Sequence, residues 1–221
     1  MDKITKIRVE ELPPDSPYMQ PFRFFYIQNG TEKSWDLLKV HDSVSIVIFN
    51  RTSKKLIFVK QFRPAVYHGI VTSSGGSLEN IDLKKYPPKI GITLELCGGM
   101  EDKENLSSVE IAREEVLEEC GFDIPVDRFN QVFKYKSGVG PSGASQTMFY
   151  CEVTEADRKT AGGGVDNELI DVVECSLKDA KKYISKGVIN NSPPNFLLGI
   201  QWFLDQYPKK SKEVPQCACS N

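Results

Sequence analysis

The sequence predicts an α+β protein, in which several short strands and a few helices follow a small N-terminal β-hairpin subdomain. Three observations support this prediction. Asn29-Gly30 separates two runs of aromatic and apolar residues, which is the strongest short signal for a hairpin. Apolar runs of strand length recur along the chain, and one segment carries helix-capping signals at both ends.

Local patterns predict each element in chain order. Residues 22–28 and 33–40 form the predicted hairpin, and the later predicted strands span 43–49, 56–62, 92–96, 131–135, 147–153 and 169–173. A capping box at Ser107 and Glu110, with Gly121 as a stop, predicts a helix from 107 to 122. Apolar periodicity predicts two more helices, at 177–185 and 195–206.

The chain is predicted to divide into three parts. Residues 1–42 form the N-terminal β subdomain, 43–210 the main domain, and 211–221 a flexible tail. Within the main domain, the largely polar stretch 68–91 is predicted as a long loop, and loops of this length are often functional. Its part 68–88 either touches the substrate or is a tolerated surface insertion, and we favour the second interpretation.

Composition excludes several classes of protein. The 221 residues include 28 Lys+Arg and 30 Asp+Glu, for a net charge of -2, whereas nucleic-acid-binding proteins usually carry a basic excess. No apolar run approaches the ~20 residues that cross a bilayer, and the N-terminus lacks the apolar stretch of a secretory signal. We therefore expect a cytoplasmic protein with neither a nucleic-acid nor a membrane partner.

Cysteine usage agrees with a reducing compartment. Four of the six cysteines lie in apolar segments, which predicts buried, reduced thiols: Cys97, Cys120, Cys151 and Cys175. Cys217 and Cys219 form a C-x-C near the end, and a frayed tail is the favoured interpretation over a metal site, since no second pair lies nearby.

The predicted helix at 107–122 carries an acidic cluster. Glu115, Glu118 and Glu119 lie at i, i+3 and i+4, where like charges repel. Glu118 and Glu119 also lie in the last turn, where the helix dipole favours cations instead. Clustered carboxylates without histidine or thiolate suit Mg²⁺ or Mn²⁺. The alternative is a solvated acidic face, but the preceding Gly98-Gly99 favours a site because it lets backbone carbonyls approach a cation.

The segment from Glu115 to Phe122, E-V-L-E-E-C-G-F, resembles the core of the Nudix box, G-x5-E-x7-R-E-U-x-E-E-x-G-U with U apolar. Two departures occur. Glu114 occupies the arginine position, with Arg113 one residue earlier, and Leu106 occupies the middle glutamate position in a loop one residue longer. In the family these two positions mainly brace the loop, so we expect the departures to affect the loop more than metal binding.

The resemblance extends over about residues 20–207. Segments that match the branch acting on nucleotide sugars and ADP-ribose are 59–63, 94–99, 167–170 and 199–204. The resemblance implies a Nudix-type mixed β-sheet between helices, an α/β/α sandwich, and a homodimer to which the N-terminal subdomain contributes. It also implies hydrolysis of UDP-glucose to UMP and glucose 1-phosphate. Two alternatives stay open, an ADP-ribose pyrophosphatase giving AMP and ribose 5-phosphate, and a non-catalytic nucleotide-binding scaffold.

The resemblance assigns the metal and the catalytic base. Mg²⁺, with Mn²⁺ as a possible substitute, is expected on Glu115, Glu118 and Glu119, helped by the Gly98 carbonyl. Glu168 is the candidate base or water-orienting group, and its alternative is an exposed loop carboxylate. The glycine-rich tract at 161–164 would suit a loop that closes on the substrate.

Two further residues are candidate substrate contacts. Arg63 is expected to bind the pyrophosphate, because guanidinium forks onto two phosphate oxygens, and its alternative is a surface arginine at a strand end. Trp35 is expected to stack on the nucleobase, in its own subunit or across a dimer, and packing within the hairpin is the equally weighted alternative.

Overall fold

The computed structural model describes residues 4–16, 18–77, 79–165, 168–187 and 191–210. The strands are β1 (Gln20–Gln28), β2 (Thr31–Lys39), β3 (Ser43–Asn50), β4 (Lys55–Phe62), β5 (Ile92–Glu95), β6 (Asn130–Lys136), β7 (Ser145–Val153) and β8 (Asp171–Ser176). The helices are α1 (Pro64–Ser73), α2 (Ser108–Cys120), α3 (Leu177–Tyr183) and α4 (Pro194–Lys210). Short 3₁₀ turns are Pro88–Gly91, Val126–Arg128 and Glu155–Asp157. The predicted tail with Cys217 and Cys219 lies outside these residues.

A mixed sheet of six strands forms the main body, in the order β5-β4-β3-β7-β6, with β8 paired to β4. The β3–β7 pair is parallel, and the other pairs are antiparallel. β4 pairs with β3 through its first residues and with β5 through its last. The chain just after β5 then pairs with the first half of β3, through Ile46–Cys97 and Ser43–Met100 bridges. This arrangement carries Gly98 and Gly99 alongside β3.

Helices cover both faces of this sheet, which confirms the predicted α+β sandwich. Side chains of β3 alternate between the faces, as the two-residue period of a strand requires. Ile46 and Ile48 pack in a cluster with α2, whereas Val47 and Phe49 pack in a second cluster with α4. The four predicted buried thiols, Cys97, Cys120, Cys151 and Cys175, are buried and free. Among the described helices, none is long and apolar enough to cross a membrane.

The long loop predicted at 68–91 is wrong in its first part, because α1 occupies Pro64–Ser73. Pro64 begins this helix, where its fixed φ favours helical geometry and its missing N–H costs nothing. Tyr67 and Val71, four residues apart, are buried and pack with Tyr86 from the end of the insert. The Tyr67 hydroxyl donates to the Tyr86 carbonyl at 2.6 Å, so the insert closes on its own small core.

The N-terminal hairpin forms as predicted, in a sheet of its own. Asn29 and Gly30 both have positive φ, 53° and 77°, which a tight two-residue turn requires. Trp35 pairs across the strands with Phe24, and both side chains are about half exposed. The Trp35 indole N–H donates to the Gly140 carbonyl at 3.0 Å, which ties the hairpin to the β6–β7 connection.

Candidate active site

A cleft of about 720 Å³ opens at one end of the sheet, where β3, β4, β5, α2 and the start of α4 meet. Six of the seven predicted site residues line it: Arg63, Gly98, Glu115, Glu118, Glu119 and Glu168. Trp35 is not among the lining residues. The topology therefore brings six predicted residues together from four separate segments, and their roles stay predictions.

Helix α2 presents its carboxylates to this cleft because both its ends are fixed by local chemistry. The Glu110 carboxylate accepts from the backbone N–H of Ser107 at 2.8 Å, as the predicted capping box requires, and it also accepts from the Ser107 hydroxyl at 2.6 Å. Gly121 ends the helix in the left-handed region, with φ 79°. The helix buries Val116 and Cys120 against the sheet, which turns the glutamates toward the cleft.

Close packing requires Gly98, whose neighbours are backbone atoms, whereas a side chain at Gly99 would first displace the mobile carboxylate of Glu115. A Cβ on Gly99 would lie 2.0 Å from Glu115 Oε1, and one on Gly98 would lie 2.2 Å from the Val44 carbonyl. The Gly98 N–H donates to Glu119 Oε2 at 3.0 Å. The contact that the structure shows from Gly98 is therefore made by its N–H to a glutamate, while the metal contact predicted for its carbonyl stays a prediction.

Burial and mutual repulsion make these carboxylates reluctant to ionise. Burial, followed by the charges of Glu118 and Glu168, raises the pKa of Glu115 to about 7. Burial also raises the pKa of Glu119 to about 8, against the opposing effect of the Gly98 N–H, and the Glu115 charge adds to the rise. Glu119 is only 4% exposed. The helix thus presents carboxylates whose ionised form the protein groups stabilise poorly.

The glycine-rich tract caps the C-terminus of α2. The Gly163 N–H donates to the Glu119 carbonyl at 2.9 Å, and the Gly164 N–H donates to the Glu118 carbonyl at 3.1 Å. A Cβ on Gly162 would lie 2.3 Å from the Glu119 carbonyl oxygen. The predicted closing loop is therefore anchored to α2 at Gly162–Gly164, where it satisfies carbonyls that a helix end leaves free.

Glu168 lies directly beyond this cap. Its Oε2 accepts from the Val165 N–H at 3.2 Å, and its backbone N–H donates to the Val165 carbonyl at 3.0 Å. Its charge contributes to the raised pKa of both Glu115 and Glu119, so it shares their electrostatic environment. Asn167, part of the matched segment, lies outside the described residues.

Sequence reasoning missed two partners of the predicted residues. The Glu95 carboxylate accepts hydrogen bonds from Nε and Nη2 of Arg63, at 2.7 Å each. These hydrogen bonds raise the pKa of Arg63. Lys103 donates to Glu114 at 2.5 Å. A charged residue between Leu94 and Leu96 in a buried strand was the available signal for Glu95.

The Lys103–Glu114 ion pair involves the loop that the two departures from the box were predicted to affect. Glu114 replaces the arginine of the box, and Lys103 reaches it from the loop that the box arginine and glutamate brace in the family. An ion pair therefore joins the loop to the helix, with the positive charge on the loop and the negative charge at the helix position where the box has arginine.

No three His, Cys, Asp or Glu side chains in the described part of the chain form a ready metal cage. Glu115, Glu118 and Glu119 line one cleft, but their carboxylates do not gather around one point as they stand. Direct coordination would require rotation of these side chains, which glutamate permits because its terminal torsions are soft.

No family model matches the chain. Uridine diphosphate glucose pyrophosphatase NUDT14 of Bos taurus is 43% identical over 198 residues, covering 85% of this chain and 89% of the relative. The Mus musculus protein of the same name is 40% identical over 216 residues, covering 93% and 96%. GDP-mannose pyrophosphatase of Klebsiella pneumoniae is 26% identical over 160 residues, covering 71% and 69%. With these relatives and this site, the chain belongs to the Nudix hydrolases, in the nucleotide-sugar pyrophosphatase branch.

Proposed function

We propose that this chain hydrolyses the pyrophosphate bond of UDP-glucose, giving UMP and glucose 1-phosphate, in a reaction that depends on Mg²⁺. The observation that carries the proposal is the pairing of an acidic helix with Arg63 in one cleft. Relatives named UDP-glucose pyrophosphatase match this chain over most of its length, and the more distant GDP-mannose pyrophosphatases support a nucleotide sugar as the substrate class.

The donor set of the cleft fits a hard divalent cation. Glu115, Glu118 and Glu119 offer carboxylate oxygens, and the raised pKa values of Glu115 and Glu119 mark negative charge that a cation would stabilise. These three residues would hold Mg²⁺, or Mn²⁺ in its place, with the Gly98 carbonyl as a further ligand. When bound, the ion would supply charge neutralisation and Lewis acidity toward the pyrophosphate and its attacking water.

The chain's own residues do the rest by position and charge. Arg63 binds the pyrophosphate and offsets its charge in the cleft that it shares with the acidic helix. Glu168 orients the attacking water and accepts its proton, from a backbone that is fixed relative to α2 by the glycine cap. The Lys103–Glu114 pair holds the loop between Gly99 and Ser107 against the helix.

The N-terminal hairpin supports a homodimer. A two-stranded sheet is marginally stable by itself, and here Phe24, Phe25 and Trp35 are all more than half exposed. We infer that a second copy of the chain covers this surface and that Trp35 stacks on the nucleobase in the partner's cleft. The cytoplasm remains the proposed compartment, since four buried cysteines are free.

A substrate panel tests the proposal. UDP-glucose, other UDP-sugars, GDP-mannose, ADP-ribose and nucleoside triphosphates would be compared at equal concentration with Mg²⁺, by chromatography of the products. We expect UDP-glucose to give the highest kcat/KM, with UMP and glucose 1-phosphate as products. A preference for ADP-ribose would contradict UDP-glucose as the substrate and would make the chain an ADP-ribose pyrophosphatase. No turnover of any compound would favour a non-catalytic scaffold.

Glu168→Gln tests the proposed base separately. The amide keeps the size of the side chain but cannot take a proton, so we expect kcat to fall about 100-fold, within the usual range for general-base loss. Glu79→Gln, at an exposed position in the insert, is the matched control and should leave kcat unchanged. A near-normal rate for Glu168→Gln would make Glu168 an ordinary loop carboxylate.

A further inference from the structure

Glu95 is a buried carboxylate in a cleft that the proposed function assigns to an anionic substrate. Its side chain is 10% exposed, and it adds negative charge to a wall that already carries four glutamates. A carboxylate that repels the substrate cannot bind it directly. The contacts of Glu95 with Arg63 and Thr93 indicate that it acts through Arg63 instead.

The backbone of Arg63 is fixed on both sides. Its N–H donates to the Gly91 carbonyl at 2.8 Å, and its carbonyl accepts from the Tyr67 N–H at 3.0 Å, in the first turn of α1. Arg63 thus stands at the junction of β4 and α1, with only its side chain free to move. The orientation of the guanidinium is then decided by its hydrogen bonds.

Those bonds use one edge of the guanidinium and leave the other free. Nε and Nη2 donate to the two oxygens of Glu95, which is the side-on fork of a bidentate pair. Of the five N–H groups of arginine, three remain, two on Nη1 and one on Nη2. The Arg63 side chain is 46% exposed although its partner is buried, so this remaining edge is the one that the cleft can reach.

Thr93 fixes Glu95 in turn. Thr93 and Glu95 lie two residues apart on β5 and therefore project to the same face of the sheet. The Thr93 hydroxyl donates to Glu95 Oε1 at 2.5 Å, and Thr93 is 3% exposed. Glu95 therefore has both of its oxygens occupied and little freedom to rotate.

We propose that Glu95, held by Thr93, is a positioning residue that turns the Nη1–Nη2 edge of Arg63 toward the pyrophosphate of a nucleotide sugar. This inference rests on the proposed function, because it concerns how the same cleft grips its substrate. Without the carboxylate, the guanidinium can rotate about its long side chain, and substrate binding must then pay the loss of that freedom.

The test compares Glu95→Gln with wild type in steady-state assays on UDP-glucose with Mg²⁺. An amide replaces one of the two acceptor oxygens with an N–H donor, so at most one bond to Arg63 remains and the fork is lost while the volume is kept. We expect KM to rise about tenfold, with a smaller change in kcat, since a charge-assisted bond is lost from ground and transition state alike. Thr93→Val should raise KM less, and Thr93→Ser, which restores the hydroxyl, should return it toward the wild-type value.

A double-mutant cycle shows whether Glu95 acts through Arg63. In an Arg63→Ala background, Glu95→Gln should change KM less than twofold, because the group that Glu95 orients is already gone. An unchanged KM in the single variant, or an undiminished effect in the Arg63→Ala background, would overturn the proposal. A weaker Mg²⁺ requirement without a KM change would assign Glu95 to the metal instead and would also overturn it.

A similar network away from the cleft provides the control. Asp157 accepts from Nη1 and Nη2 of Arg128 at 2.8 and 3.1 Å, and from the Thr154 hydroxyl at 2.8 Å. Asp157→Asn should lower the thermal midpoint but leave KM unchanged. Were Glu95→Gln to behave in the same way, its role would be structural.

Failure of this proposal can be told apart from failure of the proposed function. If wild type hydrolyses UDP-glucose, the comparison of KM values decides the role of Glu95 alone. If wild type hydrolyses nothing, calorimetric titration with UDP-glucose makes the same comparison. About tenfold weaker binding to Glu95→Gln would then support the positioning role, and equal binding would overturn it.

Discussion

The end of α2 and the corner where Arg128 meets Asp157 treat partly or wholly buried carboxylates in opposite ways. At the corner, the Arg128 fork and the Thr154 donors hold the pKa of Asp157 down to about 2, despite the opposing effect of burial. At the end of α2, burial and neighbouring glutamates raise the pKa of Glu119 to about 8. One carboxylate is satisfied within the chain, and the other is not.

We interpret this difference as one between a structural carboxylate, Asp157, and a carboxylate of the proposed site, Glu119. Asp157 joins the turns before β6 and after β7, and its partners are complete without any ligand. Glu119 has one backbone donor and no cationic partner among the hydrogen bonds of the described residues. A fold can leave such a group uncompensated where a ligand completes it, and strongly perturbed carboxylates in a cleft are typical of functional sites.

Replacing one carboxylate by its amide in each region should give the largest difference between an effect on activity and an effect on stability. We expect Glu118→Gln to lower kcat/KM by roughly 100-fold or more with little change in thermal midpoint, since a proposed metal ligand contributes several kcal/mol to the transition state. Asp157→Asn should do the reverse, lowering the midpoint by about 5 °C while activity is retained. Steady-state assays and calorimetric melting on the same preparations check both. Similar losses of activity in the two variants would break the comparison.

The two regions should also respond to pH in opposite windows. A raised folded-state pKa means that stability from Glu119 and Glu115 is complete below the unfolded value of 4.5 and is lost as pH rises toward about 7 and 8. Asp157 contributes stability that is present above 3.8 and is lost as pH falls toward about 2. Melting in the presence of a chelator from pH 5 to pH 8 should therefore show a falling midpoint in wild type.

Glu119→Gln is the control for this slope. The amide cannot ionise, so the variant should show a shallower fall over the same range, with the contribution of Glu115 remaining, and should melt above wild type at pH 8. Added Mg²⁺ should raise the wild-type midpoint more at pH 8 than at pH 5, because the cation competes with protons. Parallel slopes for wild type and Glu119→Gln would exclude Glu119 as the source.

The glycine cap allows a test of how firmly the functional charges are held. Gly162 and Gly75 share a φ of +72°, but a Cβ on Gly75 meets nothing within 4 Å, whereas one on Gly162 would lie 2.3 Å from the Glu119 carbonyl. Both alanine variants bear the same left-handed strain, about 1 kcal/mol. We expect Gly162→Ala alone to lose activity, about tenfold, because a shift of the helix end would displace the proposed metal ligands. Equal activity in the two variants would contradict the cap's proposed role.

The smallest effect is expected at the Lys103–Glu114 pair, whose side chains are 52% and 38% exposed. An ion pair of that exposure contributes at most about 1 kcal/mol. Lys103→Glu and Glu114→Lys should each raise the Mg²⁺ concentration for half-maximal rate about threefold, within that limit. The double exchange restores an ion pair with the polarity of the box and should recover most of the loss. A double variant no better than its parents would show that the pair does not brace the loop.

Local chemistry explains which parts of the site could be predicted. Helix α2 was predictable because its cap, stop and apolar stripe lie within one short segment, and its glutamates follow from helical spacing. Arg63 could be nominated, but its partner could not, since Glu95 lies 32 residues away and is placed by the register of β4 and β5. The glycine tract was recognised by composition, yet its contact with the end of α2 depends on tertiary folding.

Helix α1 and β8 show the limits of periodicity. Only Tyr67 and Val71 of α1 are buried, and apolar residues on its other faces (Ala65, Val66 and Ile70) together with Gly69 hide the helical periodicity. The strand predicted at 169–173 begins later, at Asp171, and Leu169 is 71% exposed. In both cases the tertiary partner decides the element, Tyr86 for α1 and β4 for β8, and the local apolar pattern does not show that partner.

The parallel pairing of β3 and β7 has a consequence for how this chain folds. Ser43 and Gln146, opposite each other in that pair, are separated by 103 positions in the chain. The centre of the sheet therefore cannot close on the ribosome until β7 has emerged, well after α2 has been synthesised. Pairings this distant are slow to form, and they leave β3 exposed to association with other chains meanwhile. We expect a chain cut before Ser145 to be recovered as aggregate rather than as a folded fragment.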